Sequence, residues 1–182
     1  AEWFGRHGVG EWLLLANPAT PVVITFQRAI YGRASVDGTP LLGLEYRAGF
    51  VYILNFGASQ LQRLPANFDE STPVQTVAMF PNIGSPGSRT EQNPDTSSDT
   101  ITFGSAGFPA PNAMVFDSAN NLYVSDSFQG AIYRIASATT CAAPCPVVTI
   151  KHDPILATAG FPPFGANGLA LSPDEKTLFI AN

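Results

Sequence analysis

Lysine is nearly absent from this 182-residue chain: only Lys151 and Lys176 occur. All charged residues together make up 13% of it, about half the share usual in globular domains. With 9 basic against 14 acidic residues, the formal net charge is −5. That balance argues against a nucleic-acid partner, because phosphate binding needs clustered cations. Low charge beside 45% hydrophobic residues also excludes a disordered, charge-dominated chain. No run of 18 apolar residues occurs, so no membrane span is expected. The longest early apolar stretch, Trp12 to Ala16, is too short for a signal-peptide core.

Histidine is as scarce as lysine, with only His7 and His152. Without a central histidine a Ser-His-Asp triad has poor prospects. No G-x-S-x-G elbow or phosphate-binding loop occurs, and Gly5, Gly8 and Gly10 do not fit a dinucleotide fingerprint. The two cysteines, Cys141 and Cys145, stand in CAAPC. They read either as a small disulfide-closed loop in a secreted protein or as two reduced loop thiols. With only His152 near, a zinc site would be one ligand short. The low lysine content and abundant Ser, Thr and Asn point to an extracellular or periplasmic location.

What the chain has in quantity is glycine and proline, 16 of each. That density suits many short elements joined by tight turns and disfavours a helical bundle. Three segments align: Leu42 to Asn55, Asn112 to Asp126 and Asn167 to Asn182. Each opens on a short apolar strand (GLEY, AMVF, GLAL), passes a polar turn (RAG, DSANN, SPDEK) and closes on a second strand (VYIL, LYVS, LFIA). In the first two copies the match continues through LQRL and IYRI, which puts Arg63 and Arg134 at one repeat position. Fourth strands follow at Pro73 to Phe80 and Pro146 to His152. These runs are rich in β-branched and aromatic residues and bounded by turn formers, as strands are.

The unit is therefore four antiparallel strands, with starts 70 and then 55 residues apart. A four-stranded unit at this period predicts an all-β chain, a β-propeller of four-stranded antiparallel blades. About two and a half blades are present: 41–80, 111–152 and an incomplete 167–182. The remaining blades are expected from missing chain or from another copy. Residues 1–40 form an N-terminal segment in which Pro21 to Ile30 is a candidate outer or closing strand. Residues 81–100 read as a long, solvated inter-blade loop.

PNAMVFDSANNLYVSDSFQGAIYRI resembles an NHL repeat. ANGLALSPDEKTLFIAN resembles the signature of the senescence-marker-protein/gluconolactonase family, a segment also similar to one in paraoxonases and strictosidine-synthase-like proteins. The resemblance covers about residues 105–182 closely and 40–80 less so. It implies a six-bladed propeller, which at about 50 residues per blade would need about 300 residues. It also implies a divalent cation, usually calcium, held by residues that open the inner strands. Those positions here are Leu42, Asn112 and Asn167. The two asparagines match the family's amide ligands, and hard cations accept amide oxygens. The implied activity is metal-dependent lactone or ester hydrolysis, the cation polarising a carbonyl.

Two departures weigh against that activity. Leu42 stands where an early acidic ligand would be expected, and the later acidic residue has no counterpart in this chain. The alternative is a non-catalytic NHL-type propeller that binds a protein, glycan or small ligand. Asn112 and Asn167 also read as ordinary turn residues entering strands. Asp117 and Asp174 read as turn-forming, Asp126 as a turn cap and His152 as a surface residue. Phe103, Phe108, Phe161 and Phe164 are candidates either for an apolar rim around a ligand or for inter-blade packing.

Overall fold

The computed structural model describes residues 13–15, 23–25, 40–69, 71–104, 108–159 and 165–182. Every strand among them pairs antiparallel. Strands β1 (Leu13–Leu15) and β2 (Val23–Thr25) form a hairpin. Thus the described part of the Pro21–Ile30 run pairs with Leu13–Leu15, and the rest lies outside the described residues.

The first four-stranded sheet is a meander of β3 (Leu41–Arg47), β4 (Phe50–Asn55), β5 (Gln60–Pro65) and β6 (Gln75–Met79). After the hairpin of β7 (Gly87–Gln92) and β8 (Ser98–Phe103), a second meander repeats the order. It comprises β9 (Pro111–Phe116), β10 (Leu122–Asp126), β11 (Ala131–Ile135) and β12 (Val148–His152). A last hairpin joins β13 (Leu169–Leu171) to β14 (Leu178–Ile180). The repeat alignment survives in the register, since Tyr52 faces Arg63 and Tyr123 faces Arg134.

Turn chemistry sets the hairpins. The tight turn after Arg47 puts Ala48 and Gly49 at φ 51° and 82°, the left-handed pair that a two-residue hairpin demands. Asn120 (φ 63°) and Glu175 (φ 56°) take the same region in the longer turns. Asp117 closes its turn by accepting from the Asn121 backbone N–H at 2.8 Å and its side-chain amide at 2.7 Å. Asp174 accepts likewise from Ser172 at 2.6 Å.

The core lies between the two meanders. Tyr52, Leu54, Leu61 and Val77 from the first face Met114, Leu122, Val124, Tyr133 and Ile135 from the second, all buried. Each such side chain contributes on the order of 1.5–3 kcal/mol by leaving water. A smaller cluster joins Ile132 and Leu156 to Leu169, Leu178 and Ile180, so the third hairpin packs on the far side of the second sheet. Successive sheets thus stack face to face with their leading strands adjacent, as propeller blades do. At the start of those strands the approach is close. A Cβ on Gly43 would lie 2.8 Å from the Asn112 carbonyl oxygen and 3.2 Å from Ala113 Cα, which only glycine avoids.

One expectation is corrected. Much of 81–100 is strand, not open loop: β7 and the start of β8 fall within it. The hairpin pairs hydroxyls across its exposed face, Ser88 with Thr102 at 3.0 Å and Thr90 with Thr100 at 3.4 Å. β7 is polar on both faces, and in β8 only Ile101 and Phe103 alternate with threonine, too short an apolar alternation to read as a strand. Among the described residues, no helix is long and apolar enough to cross a membrane.

Candidate functional site

The loops after β4 and β10 gather at one end of the sheets with the segments that lead into β9 and β13. The repeat turns here on small polar residues. Where the first copy has Leu54, Asn55 and Phe56, the second has Ser125, Asp126 and Ser127. Those two serines tie the sheets together.

Asn112 donates through its side-chain amide to Ser127 Oγ at 2.9 Å, and Ser127 Oγ donates to the Ala166 carbonyl at 2.7 Å. Ser125 Oγ donates to the Asn167 carbonyl, also at 2.7 Å, and accepts from the Ala113 N–H at 3.1 Å. Two buried hydroxyls thus hold the backbone of Ala166 and Asn167 against the start of β9, Asn112 reaching Ala166 through Ser127 and Ala113 reaching Asn167 through Ser125. Both asparagines remain half-buried, and Leu42, the third equivalent, is exposed. The close seat of the third segment depends on Gly165. A Cβ there would fall 2.4 Å from the Ser127 carbonyl oxygen.

Beneath this end sits a buried polar network. Asp126 Oδ1 accepts from the Phe128 and Gln129 N–H groups at 3.0 and 2.9 Å, which caps the turn. Its Oδ2 accepts from Gln129 Nε2 at 2.9 Å and from the Tyr133 hydroxyl at 3.1 Å. Gln129 Oε1 accepts from the N–H groups of Ile83 and Gly84 at 2.6 and 2.9 Å, fastening the connector that leaves the first sheet. Burial, and then the neighbouring Asp126 carboxylate, push the Tyr133 phenol well above its ordinary value. The network is fully hydrogen-bonded and enclosed, which makes it a structural fastening of the turn.

Over the same loops three rings meet edge to face. Phe56 lies 5.7 Å from Phe108 and 5.5 Å from Phe128, and Phe108 and Phe128 are 5.4 Å apart. Phe108 is exposed, and Phe128 directly follows Ser127. Phe103 is buried elsewhere, under the Arg89 guanidinium. Phe161 and Phe164 lie outside the described residues.

Ser125, Ser127 and Gln129 escaped the sequence reading. The signal available was a polar residue at an apolar repeat position, Ser125 against Leu54 and Ser127 against Phe56. His152 is exposed on β12, and Cys141 and Cys145 form a disulfide with Cα atoms 5.6 Å apart.

The donor set can be weighed against the cation that the resemblance implies. One side-chain amide, that of Asn112, is engaged with Ser127, and Asn167 contributes its backbone carbonyl to Ser125. Among the described residues no three His, Cys, Asp or Glu side chains converge. The described residues therefore do not by themselves make a calcium site, for which charge count sets affinity.

No family model matches the chain, and no curated protein matches it. Among solved structures, virginiamycin B lyase from Staphylococcus aureus is similar, with 13% identity and a TM-score of 0.36. The match covers 93% of this chain and 55% of that one, so the chain spans about half its length. The architecture described above rests on strand pairing and packing alone.

Proposed function

We propose that this chain supplies consecutive blades of a six-bladed β-propeller that binds a small ligand at the end where Asn112 and Asn167 meet. The observation that supports this reading is the Asn112–Ser127–Ala166 linkage. It sets the Asn112 side-chain amide against the backbone that opens the next blade, next to a partly exposed trio of phenylalanines. Amides offer both donors and acceptors, and the rings offer an apolar surface. Together they suit a ligand with a polar group beside an apolar portion. The exposed Leu42, with no converging acidic group among the described residues, favours binding without catalysis.

A second reading is metal-dependent hydrolysis of a lactone or ester, with Asn112 and Asn167 as two of the ligands to a divalent cation. The approach of the Asn167 backbone to the start of β9 favours it. The disulfide goes with an extracellular or periplasmic setting for either reading.

One experiment separates them. Hydrolysis of a panel of lactones and phenyl esters is followed with and without a chelator, beside thermal melts with the same compounds. The binding reading expects no turnover, and a compound-dependent rise in Tm that Asn112→Ala removes. Chelator-sensitive turnover lost in Asn167→Ala establishes the hydrolase instead. Neither turnover nor any Tm shift overturns both.

A further inference from the structure

Asn167 is the one asparagine of the chain that glycine follows. The pair stands just ahead of β13, outside the regular strand. In such a pair the glycine nitrogen can reach the asparagine Cγ, because the next residue has no side chain to stand in the way. Attack closes a five-membered succinimide and expels ammonia, and water then opens the ring to aspartate or isoaspartate. A folded chain ordinarily resists this reaction for two reasons. The attacking N–H is engaged in a hydrogen bond, and a peptide N–H is a weak acid.

Both resistances are weakened at Asn167. Its own N–H donates to the Ala181 carbonyl at 2.8 Å, and the Gly168 carbonyl accepts from the Ala181 N–H at 2.9 Å. These bonds hold the backbone on either side of the reacting peptide. The Gly168 N–H between them donates to no acceptor among the described residues. The Asn167 carbonyl belongs to the same peptide as that N–H, and it accepts from Ser125 Oγ at 2.7 Å. Loss of the Gly168 proton moves negative charge onto this carbonyl oxygen, where a donor already in place stabilises it. The Ser125 proton is well directed. Its oxygen accepts from the Ala113 N–H at 3.1 Å, and the competing Ala113 carbonyl lies farther off at 3.4 Å. Ser125 is also fully buried, so bulk water does not compete for that proton.

We propose that Asn167 is a site of self-modification, in which the Gly168 nitrogen attacks Cγ and Ser125 promotes the attack through the Asn167 carbonyl. A bond forms between Gly168 N and Asn167 Cγ, and the bond from Cγ to the carboxamide nitrogen breaks. The departing nitrogen carries the Gly168 proton away as ammonia. One water then adds across the ring and opens it at either carbonyl. Ser125 touches no reacting atom and is a positioning residue. The product puts a carboxylate at the axial end. In the isoaspartyl form the main chain is one carbon longer, so the two bonds to Ala181 cannot both persist. This stands whatever the axial end binds.

Trypsin releases residues 152–176, a peptide in which Asn167 is the only side-chain amide. The folded chain is incubated at mildly alkaline pH in water enriched in heavy oxygen, and that peptide is followed by mass spectrometry. Isoaspartate is read by enzymatic carboxyl methylation. Wild type is expected to accumulate aspartate and isoaspartate together, each with one oxygen from the solvent. Gly168→Ala should all but lose the reaction. It has room to fold, since a Cβ there would lie 3.7 Å from its nearest neighbour, Ala181 Cβ. Ser125→Ala should slow the folded chain several-fold and leave the rate in concentrated urea unchanged, a split that mere loosening of the fold would not produce. An unmodified wild-type peptide, aspartate without isoaspartate, or Gly168→Ala reacting at the wild-type rate overturns the proposal. So does a folded Ser125→Ala that reacts as fast as wild type or faster.

Discussion

Arg47 Nε donates to Asn120 Oδ1 at 2.7 Å across 73 residues of sequence. Arg47 Nη2 also donates to the Asp117 carbonyl at 2.9 Å, and its guanidinium lies over the Phe116 ring. One turn along, the Ser118 N–H and hydroxyl donate to the Glu175 carboxylate at 2.8 and 2.6 Å. The first hairpin turn of each blade is therefore tied to that of the next, at the end opposite Asn112.

The planar fork of Arg47 sets that first tie. Arg47→Ala should lower stability by about 1–2 kcal/mol, read as a shift in denaturant midpoint. Arg47→Lys should recover little of it, because an ammonium cannot serve two acceptors in fixed geometry. Full recovery by lysine would contradict the account.

Asp126 is buried and accepts four hydrogen bonds. Asp126→Ala should cost about 2–4 kcal/mol, since it strands buried donors. Asp126→Asn should fall between, keeping an acceptor but turning donors toward Tyr133 and Gln129. Equilibrium unfolding in urea measures both.

Tyr133 predicts an alkaline limit. Its phenol is held above the ordinary value of 10.0 by burial and by Asp126. The unfolded chain therefore releases this proton first. The contribution is complete below about pH 10 and is lost as pH rises beyond it. The stability difference between wild type and Tyr133→Phe should be constant at lower pH and shrink above pH 10. A difference that stays constant through pH 11 would count against this environment.

Gly165 has no room for a side chain, with the Ser127, Leu156 and Thr158 backbones all within 2.7 Å of a built Cβ. Gly165→Ala should push the third hairpin off the second sheet. Faster amide exchange in Leu169–Leu171 and Leu178–Ile180, with β9–β12 unchanged, would report it.

The blades were legible because each strand buries one face, and alternation with turn residues records that in sequence. GLEY, AMVF and GLAL fell on β3, β9 and β13 for this reason. The β7–β8 hairpin was not legible, because one face is Ser, Thr and Gln and the other mixes Arg89, Glu91 and Asp99 with only Ile101 and Phe103, so no sustained apolar face appears. At the axial end, Asn112 was visible as a repeat position. Ser127 was not, because its bond to the Ala166 carbonyl depends on how two sheets stack, which no local pattern encodes.

The central claim is that consecutive sheets converge at Asn112 and Asn167. Nuclear Overhauser contacts from the Asn112 side-chain amide protons test it without any substitution. Contacts to Ser127, together with contacts from Ser127 to Ala166 and from Ser125 to Asn167, are predicted. Their absence, with the Asn112 amide instead near residues of β5 or β6, would contradict the account.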